Sequence, residues 1–356
     1  MQTLVFNYIF IRYLEYTILR VINLSNFLSW LNNAIWNIPF LSILIFFGIY
    51  LSIKLKFPQI SVIKKVFSIP FMYFKSIRNK DNTDIKSLMS ILAGTLGMGN
   101  ITGVASAILI GGVGSIFWIF VSGFLAIALS YAENLVALQN KKHSKYFGNF
   151  GGIMYVLDEV LYKQNLAKLF CIFTILASFG IGAMIQTNSV SNILNENYNI
   201  SPIFSAGFIF VISCVIVFKG KNFITDLNNK IIPLFTLLYT GLCIYVLIIF
   251  RQNIISSLLC IVQNAFGFRQ IVGGTIGTTI IQCMSIGFSR GMFSNEAGMG
   301  SAPIFACTSS ENNPKSEASV MATAVVIDTI IMCSLTGLAI VCSRKLCIYR
   351  YIYYAL

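Results

Sequence analysis

The sequence predicts an all-α polytopic membrane protein with about eight transmembrane helices. Three observations carry that expectation. Only 10% of the 356 residues are charged and 56% are hydrophobic, whereas a soluble domain carries about 25% charged residues to keep its surface wet. The apolar residues gather into uncharged runs, and a bilayer needs about 20 such residues at 1.5 Å each. The basic residues gather between the runs, on alternate sides. A water-soluble enzyme, a disordered chain and a disulfide-stapled secreted scaffold are excluded on these grounds.

The spans follow in order. Residues 21–53 carry no charge, and their apolar part, 34–53, is the first span. Residues 87–132 are uncharged for 46 positions, which makes two spans turning at Gly111-Gly112-Val113-Gly114. Residues 169–195 form the fourth and 197–218 the fifth, divided at Asn195–Pro202. Residues 231–250 form the sixth. The stretch 270–310, interrupted by Arg290 and Glu296, reads as the seventh, and 318–343, with Asp328 as its only charge, as the eighth. Residues 1–33 place Arg12, Glu15 and Arg20 among aromatics, with no apolar run leading to a small-residue cleavage site. They read as an N-terminal interfacial segment rather than a cleaved signal.

Net charge is +13, from 25 Lys and Arg against 12 Asp and Glu. Eight basic residues fall in 54–86, five in 139–168, and Lys219, Lys221 and Lys230 in 219–230. The turns 111–114 and 195–201 hold none. This alternation puts the N-terminus outside and the basic loops on an anionic cytoplasmic leaflet. The partner is therefore the lipid bilayer, with no nucleic acid expected. The tail from Ser343-Arg344-Lys345 to Arg350 is basic on the wrong side and breaks the rule. The nine cysteines form no CxxC pair, and the one histidine, His143, sits by Lys141 and Lys142 in what reads as a loop. No zinc, haem or other cofactor is expected.

Two spans carry the features of a site. The second contains Ala93-Gly94-Thr95-Leu96-Gly97-Met98-Gly99-Asn100, and each glycine weakens a helix by about 1 kcal/mol relative to alanine. An interruption in lipid leaves backbone N–H and C=O groups that need a ligand, ion or water. Half-helix N-termini suit a carboxylate and freed carbonyls suit Na⁺. Close packing through small residues is the competing explanation. The seventh span sets Arg290, Asn295 and Glu296 within 287–303, where charges must pair or line water. A loop following a span over 270–289 is the alternative there. The motif Gly-Met-Gly occurs in both spans, at 97–99 and 298–300.

Ser178, Gly182 and Gln186 recur at i, i+4 on the fourth span, and Gln186 reads either as interhelical glue or as a substrate contact. Gly123, Ala126, Ser130, Glu133 and Ala137 make a similar stripe on the third, with Glu133 structural or gating. Asp328 reads equally as a paired structural acid or as a cation site.

At these residues the chain resembles the alanine/glycine:cation symporter family, the bacterial sodium:alanine symporters. The resemblance rests on Gly94–Gly103 with Val104-Ala105, Gly111–Trp118, Ala132-Glu133, Gly151–Tyr155, Gly180-Ile181-Gly182 with Gln186, Arg290–Pro303 and Ile327-Asp328-Thr329. The long block at 290–303 is the most specific, and the likeness extends over about residues 34–342. It implies a leucine-transporter-like fold, a 5+5 inverted repeat, here with one extra N-terminal span. It implies sodium-coupled symport of a small neutral amino acid, alanine or glycine, across a bacterial inner membrane by alternating access. Na⁺ is then a coupling ion, and there is no catalytic residue, the family not being one of enzymes. By the same resemblance Thr95, Leu96, Gly97, Gln186, Phe293, Ser294 and Asn295 hold the substrate. Gly94, Asn100, Glu133, Glu296 and Asp328 serve ion binding or gating.

The chain departs from the family in three respects. Met98 stands between the glycines where a small residue is usual, and Ile153 where the family has proline. Family members also continue beyond the position matching Val341, whereas here the sequence turns to a basic, aromatic tail over 343–356. A transporter domain over 34–342 that lacks the last core helices is the expectation. A transport-inactive remnant and a channel-like or scaffold membrane protein are the alternative functions.

Overall fold

The computed structural model describes residues 38–73, 83–146, 148–267, 280–309 and 313–343, with isolated positions between 26 and 36. The expected N-terminal segment over 1–33, apart from 26, 27, 30 and 31, and the tail beyond Ser343 lie outside the described residues. The chain divides into two units, residues 1–44 and 45–356. In the first, Trp36 and Phe40 meet edge to face at 5.5 Å; the account below concerns the second.

Among the described residues each expected span is built of helix, with boundaries set by local chemistry. Lys56 and Phe57 take left-handed φ values of 56° and 54°, and the chain turns there before Pro58–Val66. Pro58 opens the new helix, where its missing N–H has no partner to lose. The second span is bent by 53° between Ile85–Thr95 and Gly99–Gly111. After the turn at Gly112, with φ 81°, Ser115–Gln139 runs unbroken for 25 residues. Asn199, left-handed at φ 53°, ends the 35-residue helix Gln164–Tyr198, and Pro202 opens Pro202–Phe218. The last span, Pro314–Cys342, starts at Asn313, whose side chain accepts from the Ser316 N–H.

Among the described residues, four helices are long and apolar enough to cross a membrane, or six if each bent pair is one span. Of the two other expected spans, Pro202–Phe218 has 17 residues, just short of that length, and the seventh is described only from Ile280 onward. The protein is a polytopic, almost wholly helical membrane protein.

Two local readings are corrected and one element is added. His143 lies in a short hairpin, Lys142–Ser144 paired antiparallel with Gly148–Phe150, and its Nδ1 is 2.8 Å from Asn149 Oδ1. The expected loop 219–230 is mostly helix, because Lys221–Ile249 begins directly after Gly220. A helix at Ile254–Ala265 precedes the seventh span; its 12 residues are too few to register as a span.

Packing sets the directions. A methyl on Gly287 would fall 2.5 Å from Trp118 Cβ, and one on Gly291 would collide with Ser122. Contacts that advance together in this way make Ile280–Asn295 parallel to Ser115–Gln139. Gly123 meets Thr329 and Gly337 meets Ile116, so Pro314–Cys342 runs antiparallel to the same helix. The stripe of Gly123, Ala126, Ser130 and Ala137 is thus a packing face, as close approach of backbones requires. The stripe on the fourth span is not: Ser178 and Gly182 are exposed. The chain from Ser178 to Met184 is a π-helical stretch, whose wider turn breaks the i, i+4 alignment with Gln186.

The basic loops share one end of the second unit. Lys86 pairs with Asp226 at 3.2 Å and Lys141 with Glu317 at 3.5 Å. Lys65 Nζ donates to Ser316 O and Oγ at 2.7 and 2.9 Å.

Candidate functional site

The two interrupted spans meet at their interruptions. In the second, the helix Thr83–Thr95 gives way at Leu96 and resumes through a π turn, Gly99–Gly103, into Val104–Gly111. In the seventh, Ile280–Asn295 stops and a short helix, Ala302–Ala306, follows. Gly99 lies against Ser294, and a Cβ there would sit 3.3 Å from Ser294 Cα. A side chain at 99 would push the two backbones apart by a few tenths of an ångström.

A fully buried carboxylate joins them. Asp328 comes from the antiparallel helix Pro314–Cys342, within its π stretch Val326–Cys333. Asn100 Nδ2 donates to Asp328 Oδ1 at 2.7 Å and to its main-chain oxygen at 3.0 Å. Ser294 Oγ and Thr329 Oγ1 each donate to Oδ2 at 2.8 Å. Asn295 Nδ2 donates to Thr329 Oγ1 at 3.0 Å. All four donors are buried, and no described Lys, Arg or His forms an ion pair with Asp328. A buried anion without a counter-charge is costly unless a cation joins it. Hydroxyl, carboxamide and carboxylate oxygens are the ligands a hard cation such as Na⁺ takes.

The freed backbone donors of the second span face side-chain carbonyls. Gly97 N–H donates to Asn100 Oδ1 and Met98 N–H to Gln186 Oε1, each at 3.1 Å. Leu96 N–H remains inside its helix, bonded to Leu92 O at 2.8 Å. Thr95 Oγ1 turns back to Ile91 O at 3.4 Å. Gly94 is exposed and stands apart from this cluster, and Phe293 is half-buried. Glu296 accepts from Ser301 Oγ at 2.6 Å, and Glu133 Oε2 accepts from Gly298 and Gly300 N–H at 3.0 and 3.2 Å.

The structure therefore brings Gly97, Asn100, Gln186, Ser294, Asn295 and Asp328 together. It adds two groups that sequence reasoning missed. Thr329 was signalled only by its place beside Asp328; the Met98 N–H is a backbone donor, indifferent to residue type. Asn100 and Asp328 both lie on π turns, a local geometry frequent at functional sites.

Discontinuous spans converging on a buried acid, with backbone groups turned inward between them, are an arrangement characteristic of membrane transporters. The chain belongs to the sodium:alanine symporter family, whose sequence profile matches residues 21–350. It is 32% identical over 319 residues to a transporter of Haemophilus influenzae, covering 89% of this chain and 70% of that one. It is 33% identical over 314 residues to the sodium/alanine symporter AgcS of Methanococcus maripaludis, covering 87% and 68%. It is 32% identical over 313 residues to the probable sodium/glutamine symporter GlnT of Bacillus subtilis, covering 88% of this chain and 64% of that protein.

Proposed function

We propose that the protein couples Na⁺ entry to uptake of a small neutral amino acid, alanine or glycine, across a bacterial inner membrane by alternating access. The observation that carries this reading is the Asp328 carboxylate, held by Asn100 from one interrupted span and Ser294 from the other. Asp328, Ser294 and Thr329 supply the oxygens for Na⁺, and Asn100 holds the carboxylate in place through its Nδ2. The substrate carboxylate takes the N–H groups of Gly97 and Met98, replacing the carbonyls of Asn100 and Gln186. Phe293 and Asn295 wall the cavity that then opens, while Glu133 and Glu296 act at the seventh-span interruption. The tight approach of Gly99 to Ser294 supports a small cargo, since little separation of the spans is needed to admit it.

The antiparallel course of the two interrupted spans supports an inverted-repeat, leucine-transporter-like core: Gly111 meets Ile286 while Gly99 meets Ser294. The basic end carrying Lys65, Lys86 and Lys141 is then cytoplasmic. The test is uptake into proteoliposomes holding the purified protein. An inward Na⁺ gradient is expected to drive alanine or glycine accumulation, and replacing Na⁺ by choline to abolish it. Uptake that ignores Na⁺, or none above empty vesicles, overturns the reading.

A further inference from the structure

We propose that Glu133 is a positioning residue that holds the seventh-span interruption open, by accepting two backbone N–H groups that the interruption frees. Ile280–Asn295 ends in a segment with three left-handed positions, Glu296 at φ 52°, Gly298 at 82° and Gly300 at 75°. No helical carbonyl ladder can serve donors so arranged, and each needs an acceptor from elsewhere, most of all the buried Gly300; Gly298 is exposed. The acceptors are all accounted for from 296 to 300. Glu296 N–H bonds Met292 O at 2.9 Å, Ala297 N–H bonds Asn295 Oδ1 at 3.0 Å, and Met299 N–H bonds Glu296 O at 3.1 Å. The remaining two, Gly298 and Gly300, both reach Glu133 Oε2, at 3.0 and 3.2 Å.

Glu133 is suited to this by its place. Its helix, Ser115–Gln139, runs parallel to Ile280–Asn295 and packs on it through Trp118 and Ser122, so residue 133 arrives level with the segment that follows Asn295. One oxygen serves both amides, the other is buried and has no hydrogen bond among the described residues, and Glu296 is occupied by Ser301 Oγ. The interruption is thus maintained by the protein itself and does not wait for cargo. The segment it fixes follows directly on Ser294 and Asn295, so Glu133 sets their presentation to Asp328 and Thr329 without touching either.

The inference rests on the proposed site only for its consequence in transport, and its primary test does not require transport. Amide hydrogen exchange on the purified protein reads the segment 296–301 directly. Glu133→Ala is expected to speed exchange there at least about tenfold, while 115–130 stays protected. Glu133→Gln, which keeps a carbonyl acceptor, is expected to recover most of the protection. Gly298→Ala leaves Glu133 in place but strains the left-handed backbone, and is expected to speed exchange of the same segment. In uptake, Glu133→Ala is expected to lower kcat more than it raises KM, and Gln to recover rate. Unchanged exchange in both Glu133→Ala and Gly298→Ala, or Gln no better than Ala, overturns the inference. Exchange that responds as expected in a protein that moves no amino acid leaves the inference standing and removes the proposed function.

Discussion

Asn100 and Asp328, 228 positions apart in sequence, are joined by a 2.7 Å hydrogen bond in the buried interior between the two interrupted spans. The bond ties the π turn of the second span to the π stretch of the last described helix. If this pair forms the Na⁺ site, Asp328→Asn should raise the half-saturating Na⁺ concentration at least about tenfold, because a charged ligand becomes a neutral one. A Na⁺ titration of uptake measures it, and an unshifted titration removes Asp328 from the ion site.

Gln186 is expected to act on substrate affinity. Gln186→Ala removes the carboxamide that, once displaced from the Met98 N–H, turns to the substrate, and KM for alanine should rise about five- to thirtyfold with a smaller change in maximal rate. Identical uptake kinetics in an active background would falsify the role.

Gly97 gives an independent route to the same contact. A Cβ there would fall 2.6 Å from Gln186 Nε2, the far end of a flexible side chain. Gly97→Ala should therefore displace Gln186 and reproduce its loss. The double variant should be no worse than either single one, because residues acting through one contact are not additive. Additive losses in KM would show that the two positions act separately.

The Lys141–Glu317 pair is expected to matter for stability. Glu317 is fully buried and Lys141 largely so, and breaking a buried pair from one side costs about 3 kcal/mol or more. Lys141→Met should lower the melting temperature of the detergent-purified protein by several degrees. Lys86→Ala is the control: its partner Asp226 is 60% exposed, and such pairs contribute less than about 1 kcal/mol. Equal shifts for the two variants would contradict this ranking.

The spans and both interruptions were legible in the sequence because each rests on a signal that survives without tertiary context. Charge is excluded from lipid, Gly94, Gly97 and Gly99 weaken a helix, and Glu296 cannot lie unpaired in hydrocarbon. What escaped depends on neighbours. The helix Ile254–Ala265 is half-buried against other helices and too short to form an uncharged run of spanning length. The π turns at Asn100 and Asp328 arise from packing, not from a residue pattern. The start of Lys221–Ile249 was hidden because Lys221 and Lys230 read as loop charges, whereas they lie on the first turns of a helix. Glu133 announced itself as an acid on a small-residue stripe, but its partners are two backbone amides with no signature of their own.

The carbonyls of Asn100 and Gln186 already occupy the donors at Gly97 and Met98. An anion arriving there exchanges one set of hydrogen bonds for another, and the net gain is only their difference. If that anion is the substrate carboxylate, exchange of this kind favours weak binding and fast release over tight capture. The pocket's grip would come chiefly from whatever cation accompanies the guest.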